Sequence, residues 1–316
     1  MFRMIQDQSD KLLTAANALA DETDSDVYLY NAGIRRNEDD NLIETCSPYR
    51  RRTNVILILV TEGGDPDAAY RIARFLQTHY KKFTCLVAGY CKSAGTLIAV
   101  GAHELVIGDA AELGPLDVQM SKRDELWESQ SGLTVSTALT ALHQSSFQAF
   151  EHFFMSIKQR SDNAVTLKTA TEIAAKLTAG LFTPIYQQID PMFVGEAQRA
   201  QAIAQQYGRR LAAVSRNITY KSLDSLIGVY PTHSFVIDRM EAQALFKKVR
   251  VPSSSESMLI KLLGTRATEP ASNTENYYLS TEMAPPEENG NDTANPEHSD
   301  DHSAGGSDGA SDAPTG

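Results

Sequence analysis

The chain has 316 residues, 42% of them hydrophobic, and a formal charge of -11, enough to bury one large core or two small ones. The charge is uneven, because residues 265–316 hold eleven Asp or Glu against one Arg, or -10, which leaves the body near -1. Such a body offers no basic footprint for nucleic acid, and the acidic end would repel both nucleic acid and an anionic membrane surface.

In chain order, the first residues, MFRMIQDQSDKLL, lack the basic segment, apolar run and small-residue cleavage site of a secretory leader. Residues 7–21 read as a helix capped by Asp10, with Leu12, Leu13, Ala16, Leu19 and Ala20 along one side. A short strand is expected at 27–33, and the charged stretch 34–52 reads as a loop or arm. Alternation then sets in: strand 54–60, helix 66–79, strand 83–89, helix 93–102, strand 104–107. This spacing predicts right-handed βαβ crossovers and a mostly parallel sheet. The strands are continuously apolar, as when both faces are covered.

A long helix is expected at 134–159, with Leu139, Leu142, Phe147, Phe150, Phe154 and Ile157 on its apolar side. Helix 168–178 should stop near Gly180, and Pro184, Pro191 and Gly195 punctuate the way to helix 196–214. Shorter helical pieces at 221–227, 239–247 and 256–263 close the domain. After Gly264 the composition turns to Ser, Asp, Glu, Asn, Pro and Gly, which cannot offset chain entropy by burial, so 265–316 is expected to be a disordered acidic tail. The organisation expected is an N-terminal helix, strand and arm (1–52), a main domain (53–264) and the tail (265–316). No apolar run reaches the roughly 18 residues needed to span a bilayer. Cys46, Cys85 and Cys91 lack metal spacing, and their odd number argues against a disulfide framework. Cys85 and Cys91 read as small buried hydrophobes. A cytoplasmic, reducing location is the expectation.

Two turns could carry chemistry. After strand 54–60 comes Thr61-Glu62-Gly63-Gly64, then Asp65 and Pro66, a good cap and first turn for a helix. A glycine pair brings backbone close to a ligand with no Cβ in the way, and the Gly64 N–H could serve as an oxyanion donor. Alone, the same residues also suit an ordinary strand-to-helix turn. After the next strand, Cys91-Lys92-Ser93-Ala94-Gly95-Thr96 opens an apolar helix. There Ser93 could expose its hydroxyl at the carboxyl ends of parallel strands, with the Ala94 N–H as second donor. Alone, it also suits a plain helix cap.

Together the two turns resemble the Clp protease and crotonase fold, which includes signal peptide peptidase A and the Clp proteolytic subunit. VTEGGDPDAAYRIARFL, KSAGTLIAVGA, AELGPLDVQM and YPTHSFVIDRMEA, in that order from about 50 to 245, resemble the serine dehydrogenase proteinase family. The resemblance implies Ser93 as nucleophile, the Gly64 and Ala94 amides as oxyanion hole, and Gly63 and Gly114 along the substrate cleft. It also implies a homo-oligomer acting on a peptide or unfolded-protein substrate.

The base stays open. Where the Clp proteolytic subunit would place its histidine, this chain has Leu116-Asp117-Val118-Gln119, so that triad does not transfer. Signal peptide peptidase A uses a lysine, which burial can deprotonate; Lys122 and Lys158 are available. His233, on the Pro-shaped turn Tyr230-Pro231-Thr232-His233, is the third choice, although a structural histidine would also suit that turn. Lys92 adjoins Ser93 but should point away, toward a neighbouring chain or substrate. Glu112–Asp117 reads as a turn lining the cleft.

No phosphate loop, dinucleotide fingerprint or zinc pattern is present, so no metal, cofactor or NAD-dependent activity is expected. The reading is a serine peptidase with a Ser nucleophile and a Lys or His base. Its competitors are an inert peptide-binding scaffold of the same fold and a crotonase-type enzyme acting on an acyl thioester.

Overall fold

The computed structural model describes residues 2–116, 119–121 and 129–280. The first half of the chain alternates: α1 (Phe2–Thr23), β1 (Ser25–Asn31), α2 (Arg36–Tyr49), β2 (Asn54–Val60), α3 (Pro66–His79), β3 (Phe83–Val87) and a short β4 (Tyr90–Cys91). α4 (Ala94–Gly101), β5 (Glu104–Ile107) and three more short strands follow: β6 (Glu112–Leu113), β7 (Gln119–Ser121) and β8 (Ser129–Ser131). Helices then dominate: α5 (Gly132–Arg160), α6 (Leu167–Tyr186), α7 (Pro191–Ser215), α8 (Tyr220–Gly228) and α9 (Arg239–Leu245). The last elements are β9 (Val249–Arg250), α10 (Ser254–Leu263), a 3-10 turn at Gly264–Ala267 and β10 (Glu275–Tyr278).

The main sheet has the order β10-β1-β2-β3-β5-β9. Strands β1, β2, β3, β5 and β9 run parallel, and β10 joins β1 antiparallel. From β1 to β5 the order never reverses, so right-handed crossovers put α2, α3 and α4 on one face. Tyr28, Leu57, Leu59, Cys85 and Val87 pack into the core on that side with Ile72, Leu76 and Leu97. Their strand neighbours Val27, Leu29, Ile56, Ile58 and Leu86 pack on the other side with Leu19 of α1 and Leu259 and Leu263 of α10. Every described residue of β2 after Asn54 is buried, which accounts for its unbroken apolar run. Each such Leu or Ile contributes about 1.5–3 kcal/mol. The fold is Clp/crotonase-like.

Local chemistry sets the start of α3. The Asp65 side chain accepts hydrogen bonds from the N–H of Asp67 (2.7 Å) and Ala68 (3.4 Å), and Pro66 opens the helix. Its bounds, Pro66–His79, are those the sequence predicts.

The structure corrects the reading of 34–52 as a loop or arm. It holds α2, whose Leu42 and Cys46 are buried and whose buried Asp39 is bracketed by Arg36 (3.1 Å) and Arg71 of α3 (2.5 Å). α6 also runs past Gly180, where a stop was expected, to Tyr186. All three cysteines are free and buried. Burial pushes the Cys46 and Cys85 thiols up to about 12 and also raises Cys91, which keeps them protonated at neutral pH.

Residues 265–280, expected to begin the tail, are instead built into the sheet. The side chain of fully buried Asn31 donates to Arg266 O (2.9 Å) and Glu269 O (2.8 Å) and accepts from Ala271 N–H (2.8 Å). Leu279, 7% exposed, packs in the second core with Leu29 and Ile56. Ending the chain at Gly264 would strip β1 of its antiparallel partner and orphan Asn31. We expect a loss of roughly 3 kcal/mol or more, read as a lower midpoint in urea denaturation, while ending it at residue 280 leaves the midpoint unchanged. The expected disorder of 281–316 lies outside the described residues, as do Asp117, Val118 and Lys122. Among the described residues no helix is long and apolar enough to cross a membrane.

Candidate active site

The two turns singled out in the sequence meet at the carboxyl ends of β2 and β3. Parallel pairing continues beyond the main sheet: Thr61 N–H donates to Tyr90 O (2.9 Å), and Lys92 N–H donates to Thr61 O (2.9 Å). This draws Gly63 under the serine. A Cβ built on Gly63 would lie 2.7 Å from Ser93 Cβ and 3.2 Å from Ala94 N, and its φ of 106° is one that glycine tolerates. Gly64 (φ 137°) is clamped from behind, since Ile34 N–H donates to Gly63 O (2.8 Å) and Asp65 N–H donates to Ile34 O (2.8 Å). In this bridge the N–H of Gly64 itself points away from Ile34.

Ser93 is half-buried at the start of α4, with φ 51° and ψ -116°. An L side chain rarely adopts that conformation, and holding it costs about 1–3 kcal/mol. The hydroxyl makes no capping bond to the helix, so the plain-cap reading of this serine does not describe it. Ala94 is the first residue of α4, and its N–H therefore has no intrahelical acceptor. Among the described residues neither the Gly64 nor the Ala94 N–H donates to a protein group. The two turns that meet here thus hold two backbone N–H groups without a protein acceptor among the described residues and one uncapped hydroxyl.

The third wall is the turn after β6. Strand β6 pairs with β4, aligning Glu112 with Tyr90 and Leu113 with Cys91. Thr96 Oγ1 donates to Gly114 O (2.7 Å) and accepts from Gly114 N–H (3.2 Å), which fixes Gly114 against α4. Beyond it, Leu113 exchanges two backbone hydrogen bonds with Ile237 (2.9 and 3.0 Å). The segment 230–238 therefore lies along the edge of this turn.

Lys92 is placed differently from expectation. Instead of reaching out to a neighbouring chain or substrate it is 4% exposed. Its ammonium donates to Leu113 O and Phe235 O (both 3.3 Å) and pairs with Glu112 Oε2 (3.1 Å). The Tyr90 ring lies beside it, 5.4 Å away. Three acceptors thus surround the ammonium, one for each of its N–H bonds.

Of the three base candidates, His233 is on the segment brought to this wall. It sits in a turn closed by Phe235 N–H to Thr232 O (3.2 Å), two residues before the carbonyl that Lys92 holds. Its Nδ1 is buried and has no hydrogen-bond partner among the described residues. Lys158 is engaged elsewhere: its ammonium donates to Val165 O (2.7 Å) and Asn163 O (3.3 Å) at the corner between α5 and α6. Lys122 falls outside the described residues. Sequence reasoning missed Glu112 as the partner of Lys92; the only trace was its place in the Glu-Leu-Gly-Pro turn.

A mostly parallel sheet with a diglycine turn apposed to an uncapped elbow serine defines a protein of the Clp/crotonase class. Residues 46–199 match the model of the ClpP-like SDH-type serine proteinases, the family that the motifs of this chain resemble. The matched stretch takes in Gly63, Gly64, Ser93, Ala94 and Gly114 and stops before His233.

Two curated relatives come from Methanocaldococcus jannaschii. The uncharacterized protein MJ1495 is 31% identical over 134 residues, 41% of this chain and 46% of its own length. The uncharacterized protein MJ0137 is 39% identical over 66 residues, 21% of this chain and 23% of its own length. The chain thus spans less than half the length of either. Among solved structures, a mutant of the 1510-N membrane-bound stomatin-specific protease is 19% identical, with a TM-score of 0.28 over 47% of this chain and 69% of that one. Another mutant of it, in complex with a substrate peptide, is 14% identical, with a TM-score of 0.35 over 81% of this chain and 89% of that one. Likeness at that level says nothing of the site.

Proposed function

We propose that the protein is a serine peptidase in which Ser93 Oγ attacks a peptide carbonyl. The Gly64 and Ala94 N–H groups hold the oxyanion, and His233 takes the serine proton and returns it to the leaving amine. Water then hydrolyses the acyl-serine by the same route. The observation that carries this reading is the apposition of the diglycine turn to Ser93, with the serine in a strained conformation and its hydroxyl uncapped. Backbone strain of this kind is retained where the surrounding structure enforces it for a purpose.

His233 is favoured over Lys158 because the ammonium of Lys158 is tied to two carbonyls at another corner of the molecule. Gly63 and Gly114 line the cleft, and an extended peptide or unfolded protein is the substrate proposed. Assembly into a homo-oligomer belongs to the same proposal. Exposed Phe147 and Met155 on α5 and exposed Leu177 and Leu181 on α6 support it.

The inert-scaffold reading also has an observation in its favour, the unpartnered Nδ1 of His233, since a base is usually oriented by a third group. The two readings part on whether the parent chain cleaves an unfolded protein or peptide, and His233→Ala then tests the base. A peptidase with this base should lose about 10²–10⁴-fold in kcat on an unfolded protein or peptide in that variant. Equal rates for the variant and the parent chain would remove His233 from the mechanism.

A further inference from the structure

Lys92 is a buried cation that the proposed mechanism does not use, and a buried charge is retained only where it is paired and hydrogen-bonded. Its three acceptors belong to two segments far apart in sequence: Glu112 Oε2 and Leu113 O from the turn after β6, and Phe235 O from the segment that carries His233. The lysine itself adjoins Ser93. One ammonium therefore ties these two adjoining segments to the residue next to the serine. Gly114 makes room for the stem, since a Cβ there would lie 2.7 Å from Lys92 Cδ.

We propose that Lys92 is a positioning residue that assembles the site, pinning the 232–237 segment and the Glu112–Gly114 turn to the loop of Ser93. The consequence for catalysis rests on the peptidase reading with His233 as base; the pinning itself does not. Phe235 N–H closes back onto Thr232 O (3.2 Å), so the carbonyl held by Lys92 and the turn bearing His233 form one rigid unit. The Leu113–Ile237 pair anchors the far end of that unit, and Lys92 anchors the near end. Without the ammonium the Phe235 carbonyl loses that donor, and the segment keeps only the Leu113–Ile237 pair and the packing of Tyr230 and Phe235 to hold the His233 turn. Glu112 is the counter-charge that allows the ammonium to be buried.

The test is Lys92→Met in the full chain, which keeps an unbranched stem and removes the charge. Hydrogen exchange of peptides covering 230–238 should speed up by about tenfold or more, while β2 keeps its protection. On a peptide substrate kcat should fall by about 100-fold, with KM within about threefold of the parent. Lys92→Arg, which keeps the charge, should recover part of both.

Unchanged exchange at 230–238 in Lys92→Met would overturn the proposal, as would faster exchange there with kcat intact. Should Lys92→Met fail to fold, Glu112→Gln loosens the same clamp more gently. It is expected to raise exchange in the same peptides, and no change there would overturn the proposal in its turn. If the parent chain hydrolyses no substrate, the peptidase reading fails, and the exchange measurement alone decides the role of Lys92.

Discussion

Replacing Ser93 by glycine should abolish hydrolysis and at the same time make the protein more stable. Serine at φ 51°, ψ -116° holds a conformation natural to glycine. Relief of that strain is worth about 1–3 kcal/mol, and the greater freedom of glycine in the unfolded chain gives back about 0.4–1 kcal/mol. The net gain is about 1 kcal/mol, a rise of about 2–4 °C in Tm for a domain of this size. Ser93→Ala, which keeps the strain, should leave Tm near the parent value and lower kcat by about 10⁴-fold or more. Differential scanning calorimetry beside a peptide-cleavage assay reads both. A glycine variant less stable than the parent would mean that the serine side chain is part of the packing and not a strained, functional group.

The second large effect is expected at Gly64→Ala. A Cβ there would lie 2.1 Å from Ile34 O, and that oxygen cannot step aside because it already accepts from Asp65 N–H. The φ of 137° adds strain of its own. A loss of about 3–4 kcal/mol is expected, comparable to the worst core truncations, with loss of activity in whatever protein still folds. Gly63→Ala should separate the two effects, because its added methyl meets Ser93 Cβ at 2.7 Å and so presses on the nucleophile itself. A Gly64→Ala protein as stable and active as the parent would contradict the geometry of the turn.

The parts that were legible in the sequence are those governed by local chemistry. β2 and α3 have the predicted bounds because an apolar run, a glycine pair, an Asp cap and a Pro at the first helical turn each act within a few residues. The apposition of Gly63 and Ser93 follows from the adjacency of parallel β2 and β3.

Elements held by distant partners were not legible. α2 is charged and carries Pro48, and its Asp39 is bound to Arg71 on another helix, so local pattern disguises it as a loop. Its Leu42 and Cys46, four residues apart, were the one helical signal available. β10 sits in tail-like composition and owes its order to β1, nearly 250 residues earlier, and to the buried side chain of Asn31. Lys92 was misjudged for the same reason. No local rule announces that a carboxylate from residue 112 and a carbonyl from residue 235 will converge on one ammonium.

The central claim is that Ser93 is a nucleophile facing two backbone donors. Its most direct test is reaction of the full chain with a fluorophosphonate probe, followed by mass-spectrometric mapping of the adduct. The account predicts one phosphonylated serine, Ser93, no adduct in Ser93→Ala, and slower labelling in His233→Ala. An unlabelled Ser93 in a folded protein, or peptide cleavage that persists undiminished in Ser93→Ala, would contradict it.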